Sequence, residues 1–258
     1  MEVISLWKRC EKKLVLRRNG NEESGKKKNN SVYYNVKKRY TILTCGKKKE
    51  KIEQKVTERE IKKKFTKFSK VILASSSDVR KKMLNRYFTD VVNVPHNVKE
   101  EKYKKAKKDP EEIALRIAKE KALSVLRNYS DETIIASDQI LVCENKVISK
   151  PKSLDEATKK LLFLRNKAHK LYSSIYVMQK GKFYFQQVKE ASLFFANITL
   201  RDIKKYVSNN KKTVLTTVGS YKIEENSKYK FLRKIGGDRE TIVGFPIKDL
   251  IKKMKHEK

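Results

Sequence analysis

The sequence predicts an α/β fold with a mixed sheet, and three observations carry that expectation. From Lys70 onward, short apolar runs of strand length recur, helix-capping signatures stand between them, and the two kinds of element alternate without segregating. With 258 residues the chain can bury an ordinary core, as one large or two small domains, without disulfides or a structural metal. Oligomerisation is therefore optional, and a homodimer stays open.

In chain order, the first segment stands apart from the rest. Residues 1–70 carry 23 Lys or Arg against 8 Asp or Glu, include Lys26-Lys27-Lys28-Asn29-Asn30 and Lys47-Lys48-Lys49, and show no sustained helix or strand period before Lys51. Residues 1–69 read as a basic, mostly disordered extension, with a helix across Ile52, Val56, Glu60 and Ile61 leading into a folded domain at 70–258. Val71-Ile72-Leu73-Ala74 then reads as a buried strand that passes through Ser75-Ser76-Ser77-Asp78 into a helix from Val79 to Tyr87. Asp109-Pro110-Glu111-Glu112 combines an N-cap, a proline at the first helical position and early acids. Ile113, Ile117, Ala118, Ala122 and Val125 follow at helical spacing.

Thr133-Ile134-Ile135-Ala136 and Gln139-Ile140-Leu141-Val142 read as two strand halves flanking Ser137-Asp138, with a turn at Glu144-Asn145 and a return through Val147-Ile148. The capping box Ser153-Leu154-Asp155-Glu156 opens a helix with Leu161, Leu162 and Leu164. Strands from His169 to Gln179 and from Phe183 to Phe195 meet in a hairpin at Lys180-Gly181. Thr199 starts a further helix, and Pro246 the last.

Composition narrows the function classes. Lys plus Arg outnumber Asp plus Glu by 64 to 30, a net charge of +34, which excludes an acidic tail. No apolar run approaches the roughly 20 residues of a membrane span. The amino terminus lacks the apolar stretch of about 7–15 residues of a secretion signal, and its acids disfavour an organellar transit peptide. The expectation is a cytoplasmic protein without a membrane partner, with an organelle as the alternative if residues 1–69 act as a leader. Cys10, Cys45 and Cys143 are far apart, which suits a reducing compartment. The lysines are spread evenly, with few aromatics among them and no nucleic-acid-binding pattern, so no specific nucleic-acid partner is expected.

Four polar clusters interrupt the apolar elements. Ser75-Ser76-Ser77-Asp78-Val79-Arg80-Lys81 sets small hydroxyls at a strand-to-helix turn with two cations behind them, which suits phosphate. The same residues also read as a serine N-cap with surface cations. Ser137-Asp138-Gln139 places a carboxylate between apolar segments, where it needs a metal, a base or a hydrogen-bond donor, unless it is simply a turn. Ser149-Lys150-Pro151 puts a lysine at a strand end. The fourth joins Val218-Gly219-Ser220-Tyr221-Lys222 and Glu224 to Gly236-Gly237-Asp238 and Thr241-Ile242-Val243-Gly244-Phe245-Pro246, two glycine-containing loops on the plain reading. His169, at a strand start, reads as structural first; His96 and His256 carry no signal.

In this order and spacing, the stretch from Val71 to about Ile251 resembles the Maf family of nucleoside triphosphate pyrophosphatases. The resemblance rests on Leu73-Ala74-Ser75-Ser76-Ser77 with Arg80-Lys81, Val98-Lys99-Glu100, and Arg116-Ile117-Ala118-Lys119-Glu120-Lys121-Ala122. It continues through Ser137-Asp138-Gln139, Lys150-Pro151, Glu156-Ala157, His169, Gly219-Ser220-Tyr221-Lys222 and Val243-Gly244-Phe245-Pro246. It implies an inosine triphosphatase-like fold, two lobes on a long mixed sheet with a central cleft. It also implies hydrolysis of a nucleoside triphosphate between its α and β phosphates, giving the monophosphate and pyrophosphate. The implied roles are Asp138 as general base or cation ligand, Glu100 as its partner in holding a divalent cation (Mg or Mn), and Lys121, Lys150, Arg80 and Lys81 as positive charge. Ser75 and Ser77 would cradle the phosphate tail.

Gln139 and Glu224 are similar to the subgroup acting on 7-methyl-GTP, and Val79 stands where that subgroup carries an aromatic. Lys99 replaces an Asp, Asp78 a Pro, and Arg165-Asn166 a Ser-Gly pair. The alternatives are a dTTP/UTP pyrophosphatase of the same family and a weakly active nucleotide-binding regulator of cell division.

Overall fold

The computed structural model describes residues 15–18, 21–22, 41–43, 70–104 and 108–256. The chain divides into two units, Met1–Glu60 and Ile61–Lys258. In the first, β1 (Val15–Arg18), β2 (Asn21–Glu22) and β3 (Thr41–Leu43) form an antiparallel sheet in the order β2-β1-β3. These strands stand where the sequence showed no strand period. The helix expected across Ile52 to Ile61 lies outside the described residues, as do Cys10 and Cys45.

The second unit is built on a seven-stranded sheet of β4 (Val71–Ala74), β5 (Val91–Asn93), β6 (Thr133–Cys143), β7 (Lys146–Ile148), β8 (Lys167–Gln179), β9 (Lys182–Phe195) and β10 (Leu232–Gly236). Its order is β10-β9-β8-β6-β4-β5, with β7 paired to β6 off this path. β4 pairs in parallel with β5 and β6, and the other pairings are antiparallel, so the sheet is mixed as expected. β4 is buried along its whole length, as a short parallel strand between two neighbours must be.

Between the strands lie α1 (Asp78–Leu84), α2 (Glu101–Lys104), α3 (Pro110–Leu126), α4 (Leu154–Leu164), α5 (Leu200–Asn209), α6 (Lys211–Thr216) and α7 (Asn226–Tyr229), and after the last strand come α8 (Arg239–Val243) and α9 (Lys248–His256). The cap residues read from sequence cap as expected: Asp109, Ser153 and Thr199 each accept a backbone N–H of the first turn.

Three expectations need correction. Thr133–Cys143 is one continuous strand, not two halves about a turn, because β8 pairs with it unbroken from Thr133↔Gln179 to Val142↔Lys170. α1 stops at Leu84, where the Asn85 N–H bonds back to Lys81 and Met83. Pro246 precedes the last helix instead of opening it, since the first helical bond runs from Ile251 N–H to Ile247 C=O.

Candidate active site

Asp138 sits near the middle of β6, and the pleat decides what it meets. Neighbouring strand residues face opposite sides of a sheet. The side chains of Ser137 and Gln139 reach the 241–244 segment, while Asp138 meets Lys121 of α3 on the other side. Lys121 lies on the apolar stripe of α3, one turn beyond Ile117, and its side chain is 4% exposed. A lysine on a helix's buried face was a signal already present in the sequence. Ser174, opposite Asp138 on β8, accepts from the Asp138 N–H at 3.3 Å and donates to the Ala114 carbonyl at 2.7 Å. It thus fixes α3 against the strand, and sequence reasoning passed it over although Ser173-Ser174 interrupts an apolar strand.

Lys121 Nζ lies 2.7 Å from Asp138 Oδ1 and 2.6 Å from Glu100 Oε1, so two carboxylates distant in sequence converge on one ammonium. Glu100 also accepts from Lys104 at 2.9 Å. Burial pushes the Glu100 carboxyl up, but Lys121 and Lys104 pull it well below the usual carboxylate range. For Lys104, burial is outweighed by Glu100, and its ammonium is held above the ordinary value. His96, 3.9 Å from Glu100, is pushed down to about 4 by burial and by Lys121, and is therefore neutral at pH 7. Lys150, at the end of the β7 hairpin, is held below the usual lysine value, first by desolvation and then by Arg80 and Lys121, against the pull of Glu100 and Asp138. Asp138 Oδ2 is buried and has no hydrogen-bond partner among the described residues.

On the other face, Arg80 ties three pieces of chain together. Its Nη1 donates to the Ser137 carbonyl at 2.7 Å and to Ser75 Oγ at 3.4 Å, and its Nε to the Gly244 carbonyl at 3.1 Å. Gly244 ends α8 at φ 91°, where a side chain would be strained, and an added Cβ would come within 3.2 Å of the Gln139 amide. Gln139 Nε2 donates to Ser173 Oγ and to the Thr241 and Ile242 carbonyls. Ser77 caps α1 and Ser75 Oγ accepts the Ser77 N–H, so both serines have structural work at this turn. Val79 and Lys81 are half-buried on α1.

The structure brings together Asp138, Lys121 and Glu100, with the charge of Lys150 and Arg80 acting on the same group. It does not bring in Glu224, which is exposed on the 3-10 turn Ile223–Glu225. Its neighbour Glu225 turns inward, accepting from Tyr206 and Thr213. Of the two glutamates of this turn, Glu224, which the resemblance pairs with Gln139, faces solvent, and Glu225 faces the core.

His169 is buried beside Tyr221, with its Nε2 2.5 Å from the tyrosine hydroxyl, and burial pushes its pKa down to about 4. The sign follows from linkage. An unfolded histidine takes up its proton near pH 6.5 and the folded one only near 4, so stability is lost as pH falls through that window. The loss expected is on the order of 3 kcal/mol by pH 4. In urea melts between pH 7 and 4.5, His169→Gln should flatten this dependence; an unchanged slope contradicts it.

Residues 70–257 match the family model of Maf-like proteins, and the chain belongs to that family. It is 32% identical over 189 residues to a nucleoside triphosphate pyrophosphatase of Pelagibacter ubique, covering 72% of this chain and 96% of the relative. It is 34% identical to a dTTP/UTP pyrophosphatase of Pyrococcus furiosus, over 71% of this chain and 93% of the relative. It is 30% identical to a 7-methyl-GTP pyrophosphatase of Bartonella henselae, over 72% and 94%.

Proposed function

We propose that the chain hydrolyses a nucleoside triphosphate between its α and β phosphates, releasing the monophosphate and pyrophosphate. The observation that carries this reading is the buried, unpartnered Asp138 Oδ2 beside Lys121, in a cluster where Arg80 and Lys150 add positive charge. Phosphoryl transfer asks a protein mainly for charge neutralisation and an aligned nucleophile. Lys121 holds Asp138 through Oδ1 and leaves Oδ2 to accept the proton of the attacking water. Lys150 and Arg80 stabilise charge on the polyphosphate, and Ser75 and Ser77, with Lys81 behind them, receive its tail.

The residues also fit a divalent cation, Mg or Mn, because an unsatisfied buried carboxylate oxygen stands near a second carboxylate, Glu100. Glu100 and Asp138 would hold it, and when bound it would supply charge neutralisation and an acidified water.

A panel of canonical and modified triphosphates tests the reading, with pyrophosphate release as the measurement. Expected products are pyrophosphate and the monophosphate; release of inorganic phosphate with a diphosphate, or no turnover, overturns it. Within the panel, 7-methyl-GTP should be cleaved with higher kcat/KM than dTTP or UTP, a preference that rests on the resemblance of the sequence around Gln139 to that subgroup and not on Glu224, which the turn leaves exposed. Efficiency for dTTP or UTP about tenfold above that for 7-methyl-GTP overturns the base assignment while leaving the reaction standing.

Catalysis should reside in residues 70–258. The family match begins at residue 70, and relatives matched over 93–96% of their own length need only 71–72% of this chain. A protein starting near Lys67 should turn over at a rate comparable to the full chain; a folded but inactive product would assign the first residues a catalytic part.

A further inference from the structure

We infer that Lys104 is a positioning residue that keeps Glu100 charge-matched at rest, so that the site takes its divalent cation together with the triphosphate and not ahead of it. The inference rests on the reading above and concerns a residue outside the sequence motifs. By spacing alone, Lys104 and Glu100 are an ordinary i,i+4 pair. Two such pairs elsewhere lie in water, with Lys108 and Glu112 each 64% exposed and Lys159 and Asp155 74% and 73%, and the half-buried pair of Lys160 and Glu156 still leaves its carboxylate 39% exposed. The Lys104 side chain is 5% exposed and that of Glu100 18%. A buried ammonium on a site carboxylate cannot be treated as solvent-screened decoration.

The two oxygens of Glu100 are divided between two lysines, Oε1 to Lys121 at 2.6 Å and Oε2 to Lys104 at 2.9 Å. Lys104 is itself held from behind. Its Nζ lies 3.3 Å from Glu101 Oε1, and Glu101 Oε2 accepts from Ser149 Oγ at 3.1 Å, which links the turn to the strand end carrying Lys150. Glu100 and Asp138 thus face the ammonium groups of Lys104 and Lys121, and Arg80 and Lys150 add further positive charge. A bare dication entering this group meets no net negative charge and must compete with an ammonium for Glu100. A triphosphate brings its own negative charge, which offsets the cation and gives Lys104 and Lys121 an alternative anion. Lys104 therefore disfavours free metal and leaves the metal–nucleotide complex as the species that binds.

The test measures Mn²⁺ binding to the purified full chain from the free-ion EPR signal, alone and with a triphosphate whose α–β bridge is a methylene group and resists cleavage, the second titration being read against the same analogue without protein because a triphosphate itself takes up Mn²⁺. For the wild type, the analogue should tighten Mn²⁺ binding about tenfold or more; in Lys104→Met, Mn²⁺ alone should bind about tenfold more tightly than in the wild type, and in Lys104→Arg as in the wild type. Wild-type Mn²⁺ binding that is the same with and without the analogue overturns the inference, as does unchanged or weaker Mn²⁺ binding by Lys104→Met. Circular dichroism checks that the variant is folded; if it is not, Lys104→Gln and the paired wild-type titrations decide. Pyrophosphate release by the wild type is followed separately. Its absence removes the functional reading, whereas turnover with a metal affinity indifferent to Lys104 removes only this inference.

Discussion

Asp138→Asn lowers kcat for pyrophosphate release by about 10²–10⁴-fold and leaves the protein folded, with Lys121 still paired to Glu100. The two halves of this result come from the two carboxylate oxygens. Oδ1 accepts from Lys121 at 2.7 Å, and an asparagine can present its carbonyl oxygen there. Its amide nitrogen must then take the place of Oδ2, the buried atom that meets no donor among the described residues. The substitution thus turns an unspent acceptor of the site into a donor. It also removes one negative charge from the cluster and keeps the shape of the side chain. The result is checked by steady-state kinetics beside a thermal melt, and turnover within a few-fold of wild type would mean that Asp138 does not handle the water's proton.

What the sequence reveals and what it conceals follow from how local each cause is. α3 and α4 were legible because their caps and apolar spacing lie within a few residues, and the β8–β9 hairpin because Lys180 and Gly181 both take the positive φ of its turn. β6 was misdivided because Ser137 and Asp138 look like a break in an apolar run. Their partners, Gly244 and Lys121, come from elsewhere in the chain and make two polar side chains tolerable inside a strand. β5 and β10 are three and five residues long and take their definition from neighbouring strands rather than from a pattern of their own.

At the site, adjacency in sequence misled in both directions. Asp138 and Gln139 look like one motif, yet the pleat sends them to opposite sides of the sheet, and Gln139 spends its amide nitrogen holding the 241–242 carbonyls. Glu224 and Glu225 look interchangeable, yet only the second turns inward. The convergence of Glu100 and Asp138 on Lys121 joins α3, β6 and the turn before α2. The family resemblance pointed to these residues, and no periodicity in the sequence could have done so.

The second large effect is on stability. Lys121→Met should destabilise the fold by about 3–5 kcal/mol at pH 8, because removing one partner of a buried ion pair strands the other. Methionine fits the stem, so packing along α3 beside Ile117 and Ala118 is largely kept and the loss is electrostatic. Asp138, 6% exposed, then faces Glu100 without the shared ammonium, and like charges at close range push at least one carboxyl pKa up. A carboxyl whose folded pKa lies above its unfolded value binds its proton more tightly in the folded state, so stability is regained as pH falls. The difference between Lys121→Met and the wild type in urea melts should therefore shrink from pH 8 to pH 5. Adding Asp138→Asn to Lys121→Met removes the stranded charge and should recover much of the loss at pH 8, the signature of two residues coupled through one contact. A deficit that is the same at both pH values and in the double variant would locate the damage in the packing of α3 and not in the charge at its buried face.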